Sequence, residues 1–458
     1  MDSRVAPGVS RLNNIIRTTE GSCLRRAVPA VAESVCRTFQ SDERGDMSIE
    51  RAVRIVAAAL PLGWACGACA QSSVTLYGIV NPDVVFVSNA QTGRVAGALH
   101  GDRQISLQDA TTSAYVGSRF GIRGREDLGA GTFAVFTLEN GFSVANGSLG
   151  QGGALFGRQA FVGVSNERFG SVMLGRQYSP VIDFLAPLTT VSQWGGFITA
   201  HPDDIDDLGL TVRQNNAVKF STPVWHGWSA GAMYALGGVP GHVGRNQVMS
   251  AGVGYAGSSL RIGVGYLSAS APNVSMWGGQ PNGGGSAANN IGSFGSATAP
   301  ERNPVMAGYA SASREQTVGA GASYALGNAT IGAVYTNTRF VGLGSDAGPN
   351  PRGYAGSASF NTVELNGSFR IGAAVSLGTS YSYTLARGPD AIGAHYHQVN
   401  AGVHYALSKR TDVYMIAVYQ RAAGTDSLGQ PAVASINGMT PSASRQQFVD
   451  AVGIAHRF

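Results

Sequence analysis

Five acids crowd one stretch of a weakly charged chain: Asp183, then Asp203, Asp204, Asp206 and Asp207, the last four in the run HPDDIDD. Four arginines are their natural complement. Arg119, Arg123 and Arg213 lie on the polar side of alternating segments, and Arg158 lies in a segment whose alternation is irregular. A guanidinium is a planar, permanently charged donor, so it suits fixed contacts to anions better than lysine does. Acids facing arginines across a water-filled space would create a field that orients dipolar solutes and sorts ions. Bland roles compete with this one. An acidic run is ordinarily solvated, and the arginines could bridge carboxylates on their own wall, such as Glu139.

Other chemistry finds less support. The acidic run lacks the glycine spacing and terminal Glu of a calcium loop. His395 and His397 share a strand face but have no further convergent ligands in the sequence, so no metal site is expected. No GxSxG motif marks a hydrolase nucleophile. All four cysteines (Cys23, Cys36, Cys66, Cys69) precede residue 71, so the chain after them has no disulfide framework or thiolate metal site.

The elements that must position these residues are strands. In Tyr115 to Phe142, Val116, Phe120 and Ile122 fall on one face and Arg119 and Arg123 on the other, because side chains alternate across a strand. Glu126 to Gly131 supplies a turn, and Ala134, Phe136 and Leu138 then alternate with Thr137 and Glu139. Such segments recur sixteen times, the first near 73–88, the second near 113–125 and the last at 446–458. Short turns interleave strictly with long loops near 89–112, 144–154, 180–211, 238–245, 269–313, 340–357, 388–393 and 423–445. That sorting fits an all-β, sixteen-stranded antiparallel transmembrane barrel with short periplasmic turns and long extracellular loops. A soluble sandwich also alternates, but has no reason to sort its loops by rim. Loop 269–313, with its run GGGSAANN at 283–290, reads as a mobile surface loop.

Composition agrees. Gly is the outlier at 64 of 458 residues, and only 13% of residues are charged. No run of about 20 apolar residues marks a spanning helix. Arg51 and Arg54, the apolar stretch IVAAALPL at 55–62 and Ala68-Cys69-Ala70 read as a signal peptide over 47–70, which leaves 71–458 as the barrel domain. Residues 1–46 read as a start assigned too early or a dispensable leader, with a cytoplasmic module as the rival; a lipoprotein reading of Cys66 or Cys69 lacks the preceding Leu. After residue 70, 21 Arg and 2 Lys oppose 20 acids, a net of +3. That charge is too small to imply nucleic acid.

The stretches SRFGIRGREDLGAG (118–131), FTLENGF (136–142), FGSVMLGRQY (169–178), RQNNAVKFSTP (213–223) and the terminal GIAHRF (453–458) resemble the Gram-negative trimeric general porins, in particular the β-proteobacterial type. The resemblance spans 71–458. It implies a homotrimer in the outer membrane, in contact with lipid and lipopolysaccharide, passing small hydrophilic solutes without catalysis or cofactor. It implies that the third long loop, 180–211, folds into the lumen. It makes Arg119, Arg158 and Arg213 the basic wall of a constriction, and Phe458 a signal to the outer-membrane assembly machinery. The basic wall and positive net charge suggest anion preference, while the acidic loop argues the other way. A barrel enzyme and an adhesin carried by the long loops remain open rivals.

Overall fold

A computed structural model describes residues 73–109, 115–278, 282–283, 288–346 and 348–458. The expected signal peptide (47–70) and extension (1–46) lie outside the described residues. Eighteen strand segments follow one another: β1 (Ser73–Val80), β2 (Pro82–Val95), β3 (Ala98–Asp109), β4 (Arg119–Gly129), β5 (Thr132–Gly141), β6 (Gln159–Asn166), β7 (Gly170–Gln177), β8 (Gln214–Ser221), β9 (Trp228–Ala235), β10 (Val248–Ala256), β11 (Leu260–Ser270), β12 (Arg314–Leu326), β13 (Ala329–Leu343), β14 (Gly356–Ile371), β15 (Val375–Arg387), β16 (Gly393–Ala406), β17 (Thr411–Gly424) and β18 (Gln446–Arg457).

These make sixteen staves. β1 and β2 are one stave interrupted at Asn81, and β3 and β4 are another interrupted after Asp109, because β1 pairs with β4 while β2 pairs with β3. The interruption is sutured by side chains. Asn81 N–H donates to Ser118 Oγ (2.9 Å), its amide donates to Val116 O (2.8 Å), and the Asp109 carboxylate accepts from Ser118 and Val144 N–H. Every neighbouring pair is antiparallel. β18 closes the ring by pairing with β2 (Val449↔Val87) and with β1 (Ile79↔Arg457). The chain's last residue extends this seam, with Gly78 and Phe458 exchanging backbone hydrogen bonds.

Burial is inverted relative to a soluble protein. Outward Leu76, Ile105 and Leu365 are 63%, 73% and 56% exposed, whereas inward Thr362, Thr384 and Asn400 are at most 1% exposed. Inward hydroxyls pair across strands, as in Thr362 with Thr384 (2.9 Å) and Thr317 with Thr338 (3.0 Å). The apolar surface is the barrel's outside, as a bilayer solvent requires.

Two expectations about loops are corrected. Of the loop expected at 89–112, the described residues 89–109 are not a loop. β2 runs on to Val95, Ala96 and Gly97 turn with φ of 50° and 85°, and β3 returns. Over 89–101 both faces mix small and polar residues, so alternation gives no signal there, although Ile105 and Leu107 alternate outward against Ser106 and Gln108 further along β3. The loop 269–313 is folded over 288–313. Ile291, Val305, Met306 and Tyr309 are buried against Phe340, Phe360 and Tyr396 of the wall, and Arg94 bridges to Glu301 of this loop.

The segment 180–211 lies against the inside of the wall. It opens with a short helix, α1 (Pro180–Leu185), packed on β10 and β11. Bonds to the wall continue along it: Thr190 N–H to Glu364 (2.8 Å), Leu188 O from Asn366 (2.9 Å), Thr199 O and Ala200 O from Gln398 (3.2 and 3.1 Å), and Trp194 O from His404 (2.8 Å). Glycine makes the approach possible. A Cβ on Gly378 would collide with the Trp194 ring and one on Gly402 would sit 2.8 Å from it, while Cβ atoms on Gly252 and Gly254 would meet Phe184. Part of the glycine excess is therefore an inner floor on which the loop lies.

The acids of this loop anchor it. Asp203 accepts from Val305 N–H (3.2 Å) and from the Ser435 hydroxyl. Asp204 accepts from Gly209 and Thr211 N–H (2.6 and 3.2 Å), and Asp207 from Val212 N–H (2.7 Å). Asp206 faces His201 (2.7 Å), which also reaches Glu364 (3.3 Å), and accepts from Thr336. Burial raises Asp203 to about 7 and Asp204 likewise; burial and the neighbouring Asp204 charge push Asp207 well up. For His201 burial alone would lower the pKa, but Asp206 and Glu364 raise it well above the ordinary imidazole range; the His201 charge in turn overcomes burial at Asp206 and lowers it.

Gly378→Leu should overfill the Trp194 seat and cost about 1–3 kcal/mol. The expected result is a lower unfolding temperature of the detergent-solubilised barrel together with altered single-channel conductance; wild-type values for both would refute the glycine-floor role. Asp203, Asp207 and His201 hold a proton more tightly folded than unfolded, so their stabilisation is complete at low pH and is lost as pH rises through the folded values. Thermal stability should fall from pH 5 to pH 8, and Asp203→Asn should flatten that fall. A flat wild-type profile would exclude the assignment.

A guanidinium cluster beside the inserted loop

Three arginines converge because three strand ends meet at one height. Arg119 opens β4 opposite Gly141, Arg158 immediately precedes β6, and Arg213 immediately precedes β8. A Cβ on Gly141 would collide with the Gln151 side chain and lie 3.2 Å from Arg158 Cδ, so the glycine leaves room for both side chains. Tyr178, the residue after β7, is the hub. Its hydroxyl accepts from Arg158 Nη2 (3.2 Å) and from Arg213 Nε and Nη2 (3.1 and 2.7 Å), and its ring lies 4.9 Å beneath the Arg213 guanidinium. Arg158 Nε also donates to Glu139 (2.7 Å), whose other oxygen accepts from the Tyr77 hydroxyl (2.9 Å). Among the described residues no hydrogen bond or ion pair holds the Arg119 guanidinium.

These three arginines line a cavity of about 470 Å³. Its opposite side is the inserted loop, through Val191, Ser192, Phe197, Gly209, Leu210 and Thr211. None of the residues lining it is a carboxylate. Arg123 is set apart. It lies four residues along β4 from Arg119, is exposed, and rests 5.3 Å over the Tyr77 ring. Asp203, Asp204, Asp206 and Asp207, expected on the acidic side of this space, are 6%, 0%, 1% and 4% exposed, and their oxygens are turned to the loop backbone and the wall. The physical reason is partly local: the loop's tight turns leave backbone N–H groups that Asp204 and Asp207 accept, Asp203, Asp204 and Asp207 themselves adopt positive φ (51°, 52° and 60°), and Asp203 and Asp206 are taken up by Val305, Ser435 and Thr336 from other segments. Asp183 pairs with Lys219 (2.9 Å) at the loop's entry.

Two contributors escape strand parity. Tyr178 follows the end of its strand, so no alternation assigns it a face. Arg176 has outward parity, but β7 shifts register at Gly175 (φ 133°), and the Arg176 side chain donates to Gly157 O (2.8 Å), Arg213 O (3.2 Å) and Asn215 (2.5 Å). It thereby ties down the backbone beside Arg158 and at Arg213. The glycine within GRQ was the only sequence signal for this bulge.

The arrangement can hold and pass anions, and the comparisons agree with a channel. The family model described as Gram-negative porin matches residues 55–425. The chain is 30% identical to outer membrane porin protein 32 of Delftia acidovorans over 402 residues, which cover 85% of this chain and 95% of that protein. It is 36% identical to an outer membrane porin protein of Bordetella pertussis over 186 residues, 40% of this chain and about half (47%) of that protein's length. Among solved structures, the anion-selective porin from Comamonas acidovorans is similar with a TM-score of 0.60 and 25% identity, over 85% of this chain and all of that one. The chain belongs to the Gram-negative porin family, the β-barrel channels of the outer membrane.

Proposed function

We propose that this chain forms a passive channel for small hydrophilic solutes, with a preference for anions set by Arg119, Arg158 and Arg213. One observation carries the preference: the cavity between the loop and the wall is lined by three guanidiniums and by no carboxylate. The acidic half of the transverse field falls away, because the four aspartates of the loop are spent on anchoring it. It keeps Arg123 as a flanking charge outside the narrow region. The relative in Comamonas acidovorans carries anion selectivity in its name, which agrees with the reading. A channel role without catalysis is supported by the family.

A unit charge about 5 Å from a passing ion in water is worth about 0.8 kcal/mol, roughly fourfold in local anion concentration. In a salt gradient the wild type should give a reversal potential of anion sign. Arg119→Ala and Arg213→Ala should each move it toward cation sign by a few-fold in permeability ratio. A wild-type potential of cation sign, or two variants with wild-type potentials, would remove the arginines from the role. Arg158→Ala is a poorer probe, because it would strand Glu139 without its partner.

We read the assembly as a homotrimer. On β18 the outward residues are Phe448, Asp450, Val452 and Ile454, so Asp450 stands in an apolar row, paired across to Phe86 of β2. A carboxylate there is costly against lipid and acceptable against a second subunit. Light scattering of the folded protein in detergent should give three chains per particle, and Asp450→Leu should keep the fold while weakening the particle. Wild-type monomers would end this reading. The assembly role of Phe458 belongs with it: a chain lacking Phe458 should yield less folded barrel in the outer membrane, and an equal yield would refute that role.

A further inference from the structure

The inserted loop roofs a second space, on its short-turn side. A cavity of about 310 Å³ lies between Pro187 and Gln193 of the loop and the short-turn ends of β11 to β14. A smaller one of about 200 Å³ adjoins it through Gln193 and reaches Tyr115, which also borders the arginine cavity. The three spaces form a series along the underside of the loop.

The larger cavity is walled by hydroxyls. Register places Ser323 of β12 opposite Arg261 of β11, and Thr330 of β13 opposite Ser368 of β14, while Ser258 and Ser259 come from the turn before β11. Elsewhere on the inner wall hydroxyls pair with each other, as Thr317 does with Thr338 and Thr362 with Thr384. Among the described residues no hydrogen bond takes up the five hydroxyls of this cavity. Arg261 flanks the wall on one side. Arg370 of β14, which lines the smaller cavity, flanks it on the other, three strand spacings or about 14 Å across. Both arginines are exposed, and among the described residues neither has an ion-pairing acid. No carboxylate lines the larger cavity, and the one lining the smaller, Asp412, is already paired with Arg457.

This donor set is selective. Two guanidiniums without an opposing acid suit an anion. Free hydroxyls each offer a donor and an acceptor, so they suit a solute that carries hydroxyls of its own. A small inorganic anion would use the arginines and leave the hydroxyl wall to water. Gln193 Oε1, Trp194 Nε1 and His404 Nδ1, all of residues lining the smaller cavity, are buried without a hydrogen-bond partner, which adds unspent polar capacity beside Arg370. The larger cavity lies at the lower end of the range for small-molecule sites, about 300–1,000 Å³.

We infer that the shelf beneath the loop, built by Arg261, Ser323, Thr330, Ser368, Arg370 and Gln193, binds an anionic monosaccharide, a sugar carrying a phosphate or a carboxylate. The inference rests on the channel reading, because the shelf faces the lumen. It does not use the arginines of the constriction.

The test is calorimetric titration of the folded protein in neutral detergent with glucose 6-phosphate, glucuronate, glucose and inorganic phosphate. The wild type should bind at least one of the two sugar anions more tightly than glucose or phosphate, and the tighter of them names the anionic group. Arg261→Ala combined with Arg370→Ala should weaken that binding about tenfold or more, since each charge-assisted bond is worth at least that. Ser323→Ala combined with Ser368→Ala should weaken it a few-fold and leave inorganic phosphate as in the wild type. Equal wild-type affinity for phosphate and both sugar anions removes the hydroxyl wall from the site, and no sugar-anion binding overturns the assignment outright. A loss in Arg119→Ala matching that of the Arg261 and Arg370 double variant would move the binding to the constriction and overturn it too. If the arginine double variant fails to fold, the wild-type comparisons and the serine pair still decide. The reversal potential in a chloride gradient reports the constriction separately: anion sign without sugar-anion binding sinks the shelf alone, and sugar-anion binding with cation sign sinks the anion preference alone.

Discussion

Everything in this barrel follows from one constraint: a peptide group facing hydrocarbon must find its hydrogen-bond partner in a neighbouring strand. An open sheet would expose two edges, so β18 returns to β1 and β2. Closure reverses the usual sidedness of a β protein. The period-2 pattern survives, but its apolar half meets lipid and its polar half meets the lumen. Where the staves break, at Asn81 and after Asp109, a side-chain amide, a hydroxyl and a carboxylate replace the missing ladder bonds. The constraint is thus met even at the interruption.

A closed barrel of sixteen staves encloses more space than its inward side chains fill. The chain narrows that space with its own loop. For a loop to lie on a β wall the wall must be nearly bare, and Gly252, Gly254, Gly378 and Gly402 make it so. The loop must also satisfy its own backbone without a regular ladder. Asp204 and Asp207 serve its turns, Asp203 ties it to Val305 and Ser435, and Glu364, Asn366 and Gln398 of the wall reach out to meet it. Once seated, it faces the strand ends that carry Arg119, Arg158 and Arg213. The width of the passage and the charge on it are therefore set by the same docking.

How much of this was legible in the sequence depends on how local the cause was. Strand positions were legible because alternation is a local property; β12 is found at 314–326, where its pattern reads. The 89–109 hairpin was not, since its tip over 89–101 mixes small and polar residues on both faces and the contrast vanishes there. The loop's path was not, because its partners are remote: Asp203 meets Ser435, and His201 meets Glu364. Seen along the chain, HPDDIDD looks like a charged surface. Only the fold reveals that Asp204 and Asp207 are acceptors for turns and that Asp203 and Asp206 tie the loop to remote partners. Arg119 and Arg213 were legible as an inward pair, but the hub Tyr178 and the clamp Arg176 depend on a strand end and a bulge, where parity stops being a guide.

The separation of charge explains how a chain with a net charge of only +3 after residue 70 can line one cavity with three guanidiniums and no carboxylate. Net charge sums every group equally, whereas an ion in the pore feels groups within about 8 Å at physiological salt. The barrel sorts its charges by depth. Loop acids are buried where backbone amides, hydroxyls or His201 compensate them, so their field is spent locally. Arg158 and Arg213, 6% and 7% exposed, border the cavity and are held by a phenol and a single carboxylate, Glu139, which pairs with Arg158, while the Arg119 guanidinium has no such partner among the described residues. Arg rather than Lys suits this arrangement, because a planar donor can rest on Tyr178 with part of its fork and keep the remainder for a solute. Selectivity in such a channel is a property of placement, and placement is decided by the docking of the loop.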